Sequence, residues 1–396
     1  MRTGGGAIPA LLAAFVVLFC AILPGFGAPP PAVEAQTGQL DALRQQAIAA
    51  AAALQQRERS LGALDLVVRV MQRGVDAKDN ELAQSRRQQE ALLGALERLA
   101  KAPPEALAFA PEGPVERMRS GVLIAAAVPA LSDQARELSG QLAALNTVRH
   151  QIEASRKNID DARAALDRGR DALVSLLTKR NALTNQLLRE DAKAVDGTAL
   201  GNAASDPFDL IKRADAASDQ RDKDLAVRLH VLYGTPSKGA RPLVDPTKPK
   251  NLRGLDAPHA EMLWPVAGEL VHRFGEADNY GRPSQGLTLT AMPKGIVVAP
   301  FDGRVDYVGT FRGYGLVLII RHGAGYHSLL AGLGHADVMM GQWLLAGEPV
   351  GSLPGADDSS ASASLYLELR RDGKPVDPQS RLGSRDRKTE DTRVRE

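Results

Sequence analysis

Between Leu40 and Leu99 the apolar residues keep a seven-residue beat. Leu40, Ala47, Leu54, Leu61, Val68, Val75, Leu82 and Leu96 share one heptad position, broken only by Gln89, and Leu43, Ala50, Leu64, Met71, Leu92 and Leu99 fall three residues further on. That period predicts a coiled-coil helix about 90 Å long at roughly 1.5 Å per residue. Pro103-Pro104 stops it. A second helix is predicted from near Leu131, with Leu138, Leu145, Ile152, Ile159, Leu166, Leu173 and Leu187 seven apart. Two helices of similar length across a proline-containing connector most simply fold back as an antiparallel hairpin, the rival being a parallel homodimer. Between them runs an apolar segment containing Val122, Leu123, Ile124 and Val128. It is too short to span a membrane, so it either caps the hairpin or offers a docking surface at its tip.

The heptads end at Asp196-Gly197. A further helix is predicted over residues 206–233, with Asp206 as its cap and Pro207 in its first turn. Phe208 and Ile211 form one apolar patch on it, Leu225 and Leu229 another. Residues 235–259, rich in Pro, Lys and Gly, read as a flexible connection. From Leu263 the pattern turns to short strands. In the last of these, alternation puts Leu365, Leu367 and Leu369 on one side, and Ser364, Tyr366, Glu368 and Arg370 on the other. The predicted fold class is α+β multidomain: a long antiparallel coiled coil, then a mostly antiparallel β domain over residues 263–383. The charged residues 384–396 form a tail predicted to be disordered.

Composition narrows the setting. The 396 residues carry a net charge of +2, which gives no bulk attraction for nucleic acid. Aromatics make up only 4%, which suits an alanine-rich rod better than a large globular core. Arg2, the apolar stretch from Ala10 to Leu23 and the small residues after it predict an export signal cut after Ala28 or Ala35, with an uncleaved anchor as the alternative. The sole cysteine, Cys20, lies inside that signal, so the mature chain would have no disulfide. That composition suits a bacterial periplasm.

The β region carries Arg273-Phe274-Gly275, Gln285-Gly286-Leu287, Ala299-Pro300-Phe301-Asp302-Gly303, Gly313-Tyr314-Gly315, Arg321-His322-Gly323, Gly347-Glu348-Pro349-Val350-Gly351 and Leu367-Glu368-Leu369-Arg370. It resembles the LytM (lysostaphin-type) zinc metallopeptidase domain, an antiparallel β domain that cuts peptidoglycan cross-links. The residues that perform that family's chemistry are replaced. Ser284 and Thr288 stand where the resemblance places two zinc ligands in His-x-Gly-x-Asp. Leu330-Ala331-Gly332 stands for Tyr-Ala-His, and Ser364-Leu365-Tyr366 for His-x-His. Catalytic zinc needs about three His or carboxylate ligands and an open position, and Ser, Thr and Tyr do not supply them. Neither a metal nor another cofactor is therefore expected. His272, His322, His327 and His335 read as structural residues, with a relocated metal site as the weaker alternative.

The order of signal, coiled coil, linker and lapsed LytM-like domain resembles the EnvC-type murein hydrolase activators. That resemblance implies a non-catalytic periplasmic protein of a Gram-negative bacterium. Its coiled coil would dock on the periplasmic domain of FtsX in the FtsEX division complex, and its lapsed domain would switch on a zinc-dependent cell-wall amidase. The tip residues Val122, Leu123, Ile124 and Val128 become candidates for the FtsX contact. Ser284, Gln285, Thr288, Tyr314, Leu330, Gly332, Ser364, Tyr366 and Arg370 become candidates for an amidase-binding groove, with peptidoglycan a possible further occupant. Tyr and Arg are residue types enriched at binding hot spots. The helix over 206–233, through Phe208 and Ile211 or Leu225 and Leu229, becomes a candidate lid. Two other functions compete: a structural or wall-binding rod, and an active zinc metallopeptidase.

Overall fold

The computed structural model describes residues 31–100, 114–188, 197–233, 245–277, 281–355 and 362–384. Two long helices come first, α1 (Pro31–Ala100) and α2 (Pro114–Leu188). The chain divides into two compact units: residues 52–174, and residues 1–51 together with 175–396. Of the signal sequence expected over residues 1–35, residues 1–30 lie outside the described residues, and Pro31–Ala35 begin α1. No described helix is long and apolar enough to cross a membrane.

In the first unit the heptad residues do what their spacing predicts. Leu54, Leu61, Val68, Val75 and Leu82 on α1 are buried, as are Leu145, Ile152, Ile159, Leu166 and Leu173 on α2. The direction of pairing is read from the flanking charges. Arg170 meets Glu58 at 2.9 Å, Arg163 meets Asp65 at 3.6 Å, and Arg149 meets Asp79 at 2.6 Å. Between them, Arg156 donates to Gln72 at 3.2 Å. Each step moves one heptad forward on one helix and one back on the other, so the hairpin is antiparallel. Gly169 lets the helices close up, since a Cβ there would lie 2.6 Å from Leu54 Cδ2. The second helix starts earlier than the heptads suggested. It begins at Pro114 and continues through Pro129, so much of the supposed connector is helical. Pro129 costs the helix one N–H bond and crowds the preceding turn, yet the helix continues through it, with Ala125, Ala126 and Ala127 as strong helix formers beside it. The side chains of Val122, Leu123, Ile124 and Val128 lie outside the described residues.

In the second unit two short helices, α3 (Thr198–Ala203) and α4 (Pro207–Tyr233), precede an antiparallel β domain. Asp206 Oδ1 accepts from Asp209 N at 2.9 Å and caps α4, as its sequence implied. The main sheet runs β1 (Gly268–His272), β2 (Leu287–Ala291), β10 (Ala363–Arg371), β6 (Tyr326–Leu333), β5 (Gly315–Gly323), β4 (Gly303–Phe311) and β8 (Trp343–Leu344), with β11 (Lys374–Val376) on β10. A smaller sheet runs β3 (Ile296–Val298), β9 (Pro349–Ser352), β7 (His335–Ala336). The predicted alternation of β10 holds. Leu365 and Leu367 pair in register with Leu289 and Leu287 of β2, and all four belong to one core.

The opposite face of the sheet is also closed. Tyr307, Val317, Ile319, Leu329 and Ala331 pack there against Leu210, Ile211 and Ala214 of α4 and Ala204 before it. Residues 245–259 are not the loose connection expected. Asp245 Oδ2 accepts from Trp343 Nε1 at 2.9 Å, and Arg253 grips Asp302 through two side-chain bonds of 3.0 and 3.1 Å. Asp302 also accepts from Ala346 N, so its carboxyl is held below the usual range by these partners against the cost of burial. Proline and lysine content signalled the lack of regular structure but not these side-chain anchors.

The helix ends belong to this unit and are fastened to it. Arg180 of α2 is fully buried and donates to Glu348 Oε1 at 2.7 Å and to Asp337 O at 2.8 Å. Arg44 of α1, equally buried, donates to Thr247 O at 2.7 Å. Glu348→Ala should destabilise the second unit by about 3 kcal/mol or more, because it strands a buried guanidinium. Arg180→Met with Glu348→Leu should cost less than Glu348→Ala alone. Urea unfolding followed by Trp264 and Trp343 fluorescence measures both.

Candidate functional site

A cleft of about 620 Å³ opens where β2 and β10 meet the start of α4. It is lined by Phe208, His272, Glu276, Arg282, Ser284, Gln285, Thr288, Tyr314, Tyr366 and Arg370, among others. The register explains the grouping. Tyr366 sits opposite Thr288 on one side and Ala331 on the other, so these positions form one row across the sheet. Gly286 makes room for the ring, since a Cβ there would lie 2.8 Å from it.

The polar groups of the cleft are already joined to one another. Tyr366 donates to Glu368 Oε2 at 3.0 Å, and Arg370 forms a short ion pair with the other oxygen of Glu368. Arg370 also donates to Gln285 Oε1 at 3.1 Å and to Gly373 O at 3.0 Å. With only 5% of its surface exposed, Arg370 shapes the wall rather than reaching out from it. The accessible ring is Tyr314, 37% exposed and 6.3 Å centroid-to-centroid from Tyr366. Burial and Glu368 push the Tyr366 phenol well above its ordinary range, and burial raises Tyr314 too. Both stay neutral donors, unsuited to holding zinc near neutral pH.

Three residues expected in the groove are not among the cleft's lining. Leu330 is fully buried in the main core, because successive residues of β6 alternate faces and Ala331, not Leu330, shares the Tyr366 row. Gly332 has φ 89°, and a Cβ there would lie 2.7 Å from Ser364 O. A side chain at this position, where the resemblance placed a catalytic His, would require the backbone to move. Ser364 is exposed and pairs with Thr290, one step beyond the cleft.

Of the four proposed lid residues, Ile211 is buried against the sheet, whereas Phe208 is half exposed and reaches the cleft rim beside Gly373. Leu225 is only partly buried, and the Leu229 side chain lies outside the described residues. The buried contact uses Leu210 and Ala214, which sequence reasoning missed. The spacing of residues 210, 211, 214 and 218 was the available signal, hidden because Ala214 and Ser218 are not large apolar residues.

His322 is buried, with Nδ1 donating to Asp302 O at 2.8 Å and Nε2 accepting from Ser328 Oγ at 2.7 Å. This is the structural role read from the sequence. Among the described residues, Asp215, Asp306 and His327 are the one His–carboxylate group close enough to share a cation. Arg321 Nε, 3.1 Å from Asp306, already supplies positive charge there. The group lies between α4, which carries Asp215, and the sheet; none of its three members lines the cleft, although His327 pairs across the strands with Arg370.

Fold and site together define a protein with long helices and an M23-type β domain: residues 282–378 match Peptidase family M23. The chain is similar to "Murein hydrolase activator EnvC" of Escherichia coli K12, 30% identical over 59% of this chain and 51% of that one. It is also similar to "Murein hydrolase activator NlpD" of Salmonella dublin, 31% identical over 35% of this chain and 36% of that one. It thus spans about half the length of the first and about a third of the second. A solved structure, a putative M23 peptidase from Pseudomonas aeruginosa, is 23% identical with a TM-score of 0.27, covering 34% of this chain and 54% of that one.

Burial lowers the His322 pKa to about 4 from an ordinary 6.5. The unfolded chain then binds the extra proton between those values, so His322 costs stability progressively as pH falls from about 6.5 to about 4. His322→Gln should remove about 3 kcal/mol of that acid dependence, read as the difference between the two proteins' stability-versus-pH curves.

Proposed function

We propose that this chain is a non-catalytic activator of peptidoglycan hydrolysis in the periplasm of a Gram-negative bacterium. Its client is a zinc-dependent cell-wall amidase, its site of action the division septum, and its control comes through FtsEX. The observation that carries the reading is the Thr288–Tyr366–Ala331 row: an M23-type frame with a well-formed polar cleft whose three central positions hold neither imidazole nor carboxylate. His272 of β1, beside Thr288, is a lone imidazole that belongs to no cluster able to share a cation among the described residues. The names of the similar EnvC and NlpD proteins support activation rather than cleavage. The FtsX contact is assigned to the α2 segment containing Val122, Leu123, Ile124 and Val128.

In this reading the cleft binds a segment of the amidase. Tyr314 and Tyr366 give an aromatic floor, while Arg370 and Gln285 fix its shape. Rigid aromatic residues bury large area at small entropic cost, which suits an anchor. The decisive experiment is dye release from labelled peptidoglycan by a purified amidase, with and without this protein. The protein alone should release nothing and should hold no stoichiometric zinc by metal analysis. Tyr366→Ala should weaken stimulation about thirtyfold, the effect of losing a central anchor of about 2 kcal/mol. Cleavage by the protein alone, with one zinc per chain, would establish a peptidase instead. Absence of stimulation from every amidase tested would leave the structural rod.

We assign α4 as a cover over this face. Its tether makes even modest affinity sufficient, since effective concentrations for short linkers reach the millimolar range. Leu210→Asp with Ile211→Asp should raise stimulation by the full chain at low protein concentration, because a charge cannot be buried there without a partner. Unchanged stimulation from a folded double variant would remove the cover from the mechanism.

A further inference from the structure

Helix α4 is held in two different ways along its length. Its first turns use apolar contacts through Leu210, Ile211 and Ala214. From Asp215 onward the contacts with the sheet are polar. His327 Nε2 of β6 lies 2.9 Å from Asp215 Oδ1. Arg321 of β5 donates to Ser218 at 2.8 Å and to Asp219 at 3.2 Å. Arg304 of β4 forms a short ion pair with Asp222, and Arg221 donates to the Asp306 carbonyl at 3.2 Å.

At the centre sits Asp306, fully buried, with neither carboxylate oxygen receiving an aligned hydrogen bond. An unsatisfied ionised carboxylate in that position is costly, and Arg321 at 3.1 Å, with Arg221 nearby, only partly offsets it. Asp215, His327 and Asp306 present ligand atoms that all lie within 4.8 Å of one another. A proton on Asp306 resolves the conflict, because the neutral acid becomes a donor toward Asp215 and the two negative charges no longer face each other.

We propose that Asp306 and Asp215, beside His327, form a proton-operated latch that fastens the polar half of α4 to the sheet more tightly as the surroundings acidify. Its meaning for amidase control rests on reading α4 as a cover; the pH dependence of docking does not. Among the described residues, the charged groups around Asp306 are Asp215, Asp219, Arg221 and Asp222 from α4, Arg321 from β5, His327 from β6 and Arg304 from its own strand. Burial is the main cause that raises Asp306 to about 7, with Arg321 opposing and Asp215 reinforcing it. Asp215 is lowered: desolvation is the largest single cause and opposes the shift, but the bond to His327 and its charge, with Asp306 and Arg321, together outweigh it.

The sign follows from which state holds the extra proton. A carboxyl raised in the docked state contributes docking strength that is full below its free value and lost as pH rises through about 7. Asp215, being lowered, acts only at more acid pH. Between pH 5.5 and 8 Asp215 therefore contributes little, and the latch assigns the change to Asp306, with the neighbouring His327 separated from it by its own variant.

The test is hydrogen exchange of the α4 amides in the full chain at about pH 5.5 and about pH 8, corrected for intrinsic rates, with β5 and β10 amides as internal reference. Protection of α4 relative to that reference should fall at least about tenfold at the higher pH. In Asp306→Asn the difference should vanish, and in Asp215→Asn, whose partly exposed side chain makes it the safer change for folding, it should shrink. Equal relative protection of the unmodified protein at both pH values would overturn the latch. So would a slope kept in folded Asp306→Asn and lost only in His327→Gln. Exchange requires no amidase, so this result stands apart from whether Tyr366→Ala abolishes stimulation.

Discussion

The β domain depends on one constraint: its main sheet is apolar on both faces. On β5, Leu318 and Ile320 point into one core while Val317 and Ile319 point into the other, and all four are fully buried. A sheet of this kind cannot leave either side in water, because each large side chain exposed forfeits about 1.5–3 kcal/mol. One face is closed by the rest of the β domain. The other is closed by α3 and α4, which is why a segment outside the M23 match becomes part of the same core. Tyr366 joins that outer core while also lining the cleft, so the helix-packed face and the cleft share a side chain.

Such a shared element explains why the outer contact is mixed rather than uniformly apolar. Leu210, Ile211 and Ala214 bury enough surface to dock the helix, but the contacts from Asp215 onward are ion pairs and hydrogen bonds, several partly exposed. Exposed pairs contribute little net free energy and are sensitive to salt and protonation. Helix α4 is thus held by three small or medium apolar residues and a polar tail rather than by a full apolar stripe.

The helix ends show the opposite choice. Arg180 with Glu348 and Arg44 with the Thr247 carbonyl are fully desolvated contacts. Such pairs add little compared with apolar substitutes, yet they fail badly if one partner is removed. They fix one arrangement of the helix ends against the β domain, and a register slip on either helix would leave a buried charge alone. Within the hairpin, by contrast, register comes from heptad leucines and from charge pairs repeated once per heptad.

Much of this was legible in the residues themselves. Period seven determines a coiled coil wherever it occurs, and alternation in β10 determines which leucines face the core, because both are local geometric repeats. The expectation that Ser284, Thr288 and Tyr366 stand in place of zinc ligands likewise came from residue type alone, since ligand chemistry belongs to the side chain. What tertiary structure alone decided involves partners distant in sequence. Leu330 left the groove because strand register gave that row to Ala331. Arg370 became a wall because Glu368 and Gln285 satisfy it. Residues 245–259 became ordered because Asp302 and Trp343 wait for Arg253 and Asp245. Asp306 reads in the sequence as one more acidic residue in a strand. Only the packing of α4, β5 and β6 around it removes water and brings Asp215, Arg321 and His327 within reach, and proton affinity depends on those surroundings.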